Sequence, residues 1–112
     1  MNIHFGTLST VELKEKLDKN EVSLLDVRSS LEWSEGHIEG AKHVYVGELN
    51  EHIPDLEKDK TTAVICSVAN RAGLGASILK KAGFADVYNV LGGITAWKKL
   101  NYPLKKDEKL KN

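Results

Sequence analysis

The most informative stretch of this chain is Ala63-Val64-Ile65-Cys66-Ser67-Val68-Ala69-Asn70-Arg71. Its three leading apolar residues predict a buried strand, because the β-rich run around them is too short for a helix. Apolar residues at helical spacing follow the stretch and predict a helix over 71–81. A strand, a short turn and a helix in this order indicate an α/β fold, with Cys66 where the strand ends and the turn begins.

Short apolar runs alternate with amphipathic segments along the rest of the chain as well. This alternation is typical of a parallel sheet covered by helices. The predicted strands cover residues 22–27, 43–46, 62–66 and 87–90. The predicted helices cover residues 9–18, 30–35, 47–56, 71–81 and 94–100, of which the first begins with a Ser9–Glu12 capping box and the third is broken by Pro54.

The composition is that of a single globular domain of 112 residues. The 16 lysines and arginines balance the 16 aspartates and glutamates, so no basic surface that would attract nucleic acid is predicted. The sequence shows neither a signal peptide nor an apolar run of membrane-spanning length, which favours a cytoplasmic protein without a membrane partner. The ordered domain is predicted over residues 1–104, followed by a disordered charged tail over 105–112.

Cys66 is the only cysteine, which excludes an internal disulfide, a Cys-x-x-Cys redox pair and a cysteine-based zinc site. No metal and no other cofactor is predicted. A turn between a strand and a helix directs backbone N–H groups and the positive end of the helix dipole at the group it holds. Such an environment favours a thiolate, and equally a persulfide anion formed on it, so Cys66 is the candidate nucleophile.

Four sequence blocks, in the right order and at the right spacing, resemble those of the rhodanese-like family. The first joins Leu25-Asp26-Val27-Arg28 to Glu32-Trp33, and the second is Gly36-His37-Ile38-Glu39-Gly40-Ala41. The third is the six-residue C-x4-R loop from Cys66 to Arg71, and the fourth is the Gly-Gly-x-x-x-Trp ending within 89–97. The resemblance implies a central parallel sheet of about five strands with helices on both faces.

The resemblance also implies a sulfurtransferase without a cofactor. Cys66 would take a sulfane sulfur from thiosulfate or a low-molecular-weight persulfide and pass it to a thiophilic acceptor. The residues of the loop that binds substrate and persulfide would be Ser67, Val68, Ala69, Asn70 and Arg71. The supporting residues would be Asp26, Arg28 and Glu32, since polar residues at strand ends and turns most often cap, pair or hold loops. A monomer is expected.

Two features of the loop leave alternatives open. Arg71 either places a positive charge at the substrate or forms a structural ion pair, with Asp26 or Glu32 as its partner. Ala69 and Ala72 stand where the family most often has a glycine and a hydroxyl residue. If position 69 needs positive φ, Ala69 is expected to be left-handed and strained, and Ala72 is expected to lack one hydrogen bond to sulfur.

Residues of the other blocks are assigned structural roles. Gly92 and Gly93 are predicted to let the backbone approach the loop closely. Trp33 and Trp97 are predicted to be buried, and His37 is not expected to act as a general base.

Other classes of function share some of these features. Cysteine phosphatases and arsenate reductases also hold an anion between a Cys and an Arg, and phosphatases do so with a C-x5-R loop. One residue fewer removes up to ~3.5 Å of contour, which suits a single sulfur atom rather than a phosphate. A non-catalytic binding or regulatory module, or a domain of a larger sulfur-metabolism protein, would have the same fold. The intact Cys66 favours the enzyme over the binding module.

Overall fold

A computed structural model describes residues 4–106 of the chain. The strands are β1 (Gly6–Leu8), β2 (Ser23–Asp26), β3 (Lys42–His43), β4 (Thr62–Ile65) and β5 (Val87–Val90). The helices are α1 (Thr10–Asp18), α2 (Ser30–Glu35), α3 (Asn70–Lys81) and α4 (Gly93–Lys99), with a 3₁₀ turn at Val46–Glu48. None of the helices within residues 4–106 is long and apolar enough to cross a membrane.

The five strands form one parallel sheet in the order β1-β5-β4-β2-β3. β4 is the central strand, and its residue Val64 pairs with Leu25 of β2 and with Asn89 of β5. In a parallel sheet the carboxyl ends of all strands meet at one edge, where open α/β folds bind their ligands. Cys66 follows β4 directly and therefore lies at this edge.

Alternate residues along β4 and Cys66, which follows it, enter two separate apolar clusters, because successive side chains of an extended chain point to opposite faces. Val64 and Cys66 belong to the cluster that packs against α3, whereas Ala63 and Ile65 belong to the cluster that packs against α1 and α4. All four residues of β4 are buried, which explains why its sequence is a continuous apolar run. The prediction of a parallel sheet with helices on both faces is confirmed.

The first two helices begin with capping boxes. In α1 the N–H of Glu12 donates to Ser9 Oγ at 3.1 Å, and the N–H of Ser9 donates to Glu12 Oε1 at 2.8 Å, as predicted. Ser29 and Glu32 form the same arrangement at the start of α2, a match to the same sequence pattern that the sequence analysis did not identify. Helix α2 ends at Glu35 and is followed by Gly36, as predicted.

Two local predictions differ from the structure, and one strand has no counterpart among the predictions. Strand β3 ends at His43 rather than at residue 46, and the helix predicted over 47–56 is absent from the described chain. Val46 and Leu49 both enter the core at a spacing of three residues, which a 3₁₀ turn satisfies. Strand β1 was not predicted because three residues carry no periodic signal; it forms through its parallel pairing with β5.

The chain returns to the sheet after α4. Trp97 Nε1 donates to the carbonyl of Pro103 at 2.9 Å, and Leu104 packs against the cluster beneath α1 and α4. The backbones of His37 and Lys105 then exchange two hydrogen bonds, of 2.9 and 2.7 Å. Lys105 is thus part of the ordered fold rather than of the predicted tail, and residues 107–112 of that tail lie outside the described residues.

Candidate active site

Cys66 lies at the junction between β4 and α3 and is 1% exposed. Its Sγ accepts a hydrogen bond from the backbone N–H of Ala72, at 3.3 Å. Ala72 belongs to the first turn of α3, where backbone N–H groups have no partner within the helix. The sulfur therefore faces the positive end of a 12-residue helix.

The loop residues after Cys66 differ in their exposure. Val68 is 50% exposed and Asn70, the first residue of α3, is also exposed. Ser67, Ala69 and Arg71 are half-buried. The outer part of the loop is thus open to solvent, whereas the sulfur lies beneath it.

Ala69 precedes α3 and has a φ of −161°. This φ is negative and lies outside the left-handed region, so the expectation of a left-handed, strained alanine is wrong. Ala69 is the residue directly before α3, which begins at Asn70, and its ψ is −28°. Within residues 4–106, positive φ outside glycine occurs only at Asn20 and Asn101.

The first turn of α4 holds the loop backbone through two hydrogen bonds. The N–H of Ile94 donates to the carbonyl of Cys66 at 2.9 Å, and the N–H of Thr95 donates to the carbonyl of Ser67 at 3.0 Å. Gly93 makes this approach possible: its φ is +54°, and a Cβ there would lie 2.3 Å from the Cys66 carbonyl oxygen. The predicted close backbone approach is confirmed at Gly93, where a side chain would displace the loop.

Arg71 forms an ion pair with Glu32, one of its two predicted partners. Its Nη1 donates to Glu32 Oε1 at 2.6 Å, and its Nη2 donates to Glu32 Oε2 at 2.9 Å and to Ser67 Oγ at 2.8 Å. Ser67 Oγ in turn donates to Glu32 Oε2 at 2.7 Å. The two ends of the loop, at Ser67 and Arg71, are therefore fastened to one carboxylate of α2.

The Glu32 carboxylate also completes the cap of its own helix, through bonds from the N–H and the hydroxyl of Ser29 at 3.1 and 3.0 Å. The Arg71 guanidinium, together with the donors of Ser67 and Ser29, holds the pKa of the Glu32 carboxyl far below its usual range. Glu32 is thus ionised throughout the neutral range, and its negative charge balances the positive charge of Arg71.

Asp26 and Arg28 form a second ion pair, whose side-chain hydrogen bonds within residues 4–106 join β2 to α2 rather than to the loop. Arg28 Nε and Nη2 donate to the Asp26 carboxylate at 2.8–3.1 Å, and Nη2 also donates to the Gly36 carbonyl at 2.7 Å. The side chains of Asp26 and Arg28 are 1% and 5% exposed. This pair connects the end of β2 to the end of α2, and so it supports the elements that carry Glu32.

The aromatic residues have structural contacts. His37 Nδ1 is 2.8 Å from the carbonyl oxygen of Trp33, and the two rings stack with their centroids 3.6 Å apart. His37 is 8% exposed and Trp97 is 1% exposed, whereas Trp33 is only half-buried. His37 thus has structural contacts with Trp33, and its lack of a general-base role stays a prediction.

Asn89 contacts the loop but has no assigned role in the sequence analysis. Its Nδ2 lies 3.4 Å from the carbonyl oxygen of Ala69. A polar residue within the otherwise apolar end of β5 was the available signal. Within residues 4–106, no group of three His, Cys, Asp or Glu side chains is arranged to hold a metal ion. The arrangement presents one sulfur to a backbone N–H at the start of a helix, which suits a sulfur-centred anion.

Comparison with known proteins identifies the family of this site. Residues 9–100 match the Rhodanese-like domain family. The probable adenylyltransferase/sulfurtransferase MoeZ of Mycobacterium tuberculosis is 35% identical over 88% of this chain, and the putative sulfurtransferase YtwF of Bacillus subtilis is 40% identical over 80%. The chain spans only 26% of MoeZ but 87% of YtwF.

The fold agrees with that of a solved relative. A rhodanese-related protein from Thermoplasma volcanium, 32% identical, superimposes with a TM-score of 0.81 over 90% of this chain and 98% of its own. The family match, the sulfurtransferase names of the relatives and the shared fold lead to one conclusion: the chain belongs to the rhodanese-like domain family.

Proposed function

We propose that this protein is a sulfurtransferase that carries a sulfane sulfur on Cys66. The thiolate attacks the outer sulfur of thiosulfate or of a low-molecular-weight persulfide. The sulfur–sulfur bond of the donor breaks, and sulfite or a thiolate leaves with the electron pair. A thiophilic acceptor then attacks the outer sulfur of the Cys66 persulfide, and the Cys66 thiolate is the leaving group.

The observation that carries this proposal is the hydrogen bond from the Ala72 N–H to Cys66 Sγ at the start of α3. Backbone donors and a helix N-terminus stabilise a sulfur-centred anion without needing a side-chain cation. Both anions of the cycle, the thiolate and the persulfide, carry their charge on sulfur. The Ala72 N–H and the N-terminus of α3 can therefore serve both half-reactions.

The charge balance of the loop bears on the donor. Arg71 is paired with Glu32 at 2.6 and 2.9 Å, and no other cationic side chain lies between Cys66 and Arg71 in the sequence. Thiosulfate concentrates two negative charges on one small group and gains little from such a loop, whereas the carboxylates of glutathione persulfide lie away from the sulfur that reacts. We therefore expect faster loading from glutathione persulfide than from thiosulfate.

The same ion pair argues against the phosphatase alternative. In that chemistry the arginine of the loop clamps the phosphate oxygens, but here both nitrogens at the end of the guanidinium are bound to Glu32. The shorter C-x4-R loop points the same way. The remaining alternative is a non-catalytic binding module, which predicts that the protein takes up no sulfur from either donor.

The test is the intact mass of the protein after incubation with each donor and removal of excess reagent. We expect a gain of about 32 Da, one sulfur atom, that is lost on addition of cyanide. Cys66→Ser is the matched control, because its hydroxyl occupies the same place but forms no persulfide. Sulfur uptake by this variant would rule out Cys66 as the carrier, and no uptake by the wild type from either donor would favour the binding module.

A further inference from the structure

The first turn of α3 is held differently from those of α1 and α2. Ser9 and Ser29 cap their helices with a side-chain oxygen and have ψ angles of 166° and 163°. Ala69 has no side-chain acceptor, and its ψ is −28°. The N–H of Ala72, which a capping side chain would otherwise bind, donates to Cys66 Sγ instead. The sulfur takes the place of the cap, so the position of this turn bears directly on the hydrogen bond to Sγ.

Asn89 contacts this turn from β5. Its Nδ2 lies 3.4 Å from the carbonyl oxygen of Ala69, which also accepts the N–H of Gly73 at 3.0 Å. Asn89 pairs in register with Val64, two residues before Cys66 on the neighbouring strand. A reversed carboxamide would place two acceptor oxygens against each other, so the donor Nδ2 is the group that faces the carbonyl.

The side chain of Asn89 is costly to the fold. It is 8% exposed, and no protein group of residues 4–106 donates a hydrogen bond to its buried Oδ1. A buried carbonyl oxygen without a partner destabilises a protein, and asparagine is also a poor strand residue. A leucine of similar size would avoid both costs. An asparagine here is therefore better explained by what it does to the loop than by stability.

We propose that Asn89 is a positioning residue for the chemistry of Cys66. By holding the Ala69 carbonyl, it keeps the first turn of α3 where the Ala72 N–H donates to the sulfur. It acts through the backbone of the loop and does not itself contact the reacting atom. The inference rests on the proposed function only in taking Cys66 as the reactive group.

The test uses Asn89→Leu and Asn89→Val, both of which remove the donor and place no titratable group against the Ala69 carbonyl. Two measurements are made on each variant well below its unfolding temperature: the alkylation rate of Cys66 by iodoacetamide at neutral pH, and kcat and KM for sulfur transfer to cyanide. Thermal unfolding then gives Tm. We expect alkylation and kcat to fall about five- to tenfold while KM changes little, because sulfur stabilisation is lost and donor contacts are kept. Asn89→Leu should have an unchanged or higher Tm.

Thr62→Val is the matched control. Thr62 is fully buried at the opposite end of β4, and its hydroxyl donates to the Lys60 carbonyl at 3.2 Å. Its loss should change Tm but neither rate. A wild-type alkylation rate in Asn89→Leu and Asn89→Val would overturn the inference, as would a lower Tm with unchanged rates. If the wild type is alkylated normally but takes up no sulfur, the proposed function is overturned. The alkylation rates of the Asn89 variants then still decide whether Asn89 positions the loop around Cys66.

Discussion

The two arginine–carboxylate pairs of this protein use the same chemistry for different purposes. Asp26 and Arg28 are two residues apart, and their side chains are 1% and 5% exposed. Glu32 and Arg71 are 39 residues apart, and their side chains are 31% and 33% exposed. The first pair stabilises the junction of β2 and α2 from inside the fold. The second joins α2 to the loop that carries Cys66, so it couples stability to the geometry of the site.

Breaking the buried pair should have the largest effect on stability. Arg28→Ala leaves the carboxylate of Asp26 buried and without its cation, and we expect a loss of about 3–5 kcal/mol in the free energy of unfolding. Urea unfolding measures this loss. The double variant Asp26→Asn, Arg28→Leu removes both charges and should recover most of it. A double variant as unstable as Arg28→Ala would show that the hydrogen bond to the Gly36 carbonyl, rather than the charge pair, is the main contribution.

Breaking the Glu32–Arg71 pair should lower the free energy of unfolding by less, but it should also lower the rate of sulfur transfer. Arg71→Ala removes the donors to Glu32 and Ser67, and we expect a loss of about 2 kcal/mol with a lower kcat for sulfur transfer. Lys14→Ala is the control, because its 2.7 Å ion pair with Asp18 is exposed and should contribute little. If Arg71→Ala changes Tm but not kcat, the pair is structural only, and the coupling described above is wrong.

The pH dependence of stability should distinguish the Glu32 carboxylate, which binds Arg71, from a carboxylate that only caps a helix. Its pKa is lowered in the folded state, so its contribution is fully present above the ordinary value of 4.5 and is lost as the pH falls below it. Glu32→Gln should therefore be less stable than the wild type by about 1–2 kcal/mol at neutral pH, with a difference that narrows on acidification. Thermal unfolding between neutral and acid pH measures this change.

Glu12→Gln provides the comparison for that measurement. Glu12 is the corresponding residue of the α1 capping box, and the bonds from Ser9 lower its pKa as well, but it is exposed and carries no arginine. Glu12→Gln should lower the free energy of unfolding by less than Glu32→Gln does, and its effect should also narrow on acidification. Equal effects at the two positions would mean that the bonds from Arg71 and Ser67 add nothing to the stability contributed by Glu32.

The elements that were predicted correctly are those whose signals are local. Helix α1 and strand β5 have the predicted bounds to within a residue, because caps, short apolar runs and glycines act over a few positions. The segment from Val46 to Leu56 was predicted wrongly, since its conformation follows from the need to bury Val46 and Leu49 beneath α3. Local propensity had no information about that surface.

The candidate site shows the same division. The position of Cys66 between a strand and a helix, the length of the C-x4-R loop and the balance of charge follow from the order of residues alone. The choice of Glu32 over Asp26 as the partner of Arg71, the ordinary φ of Ala69 and the contact of Asn89 with the loop do not. Each depends on which strands are neighbours and how far each helix stands from the sheet. These distances arise only when the parallel sheet brings residues far apart in sequence together, because hydrogen bonds and ion pairs act over a few ångströms.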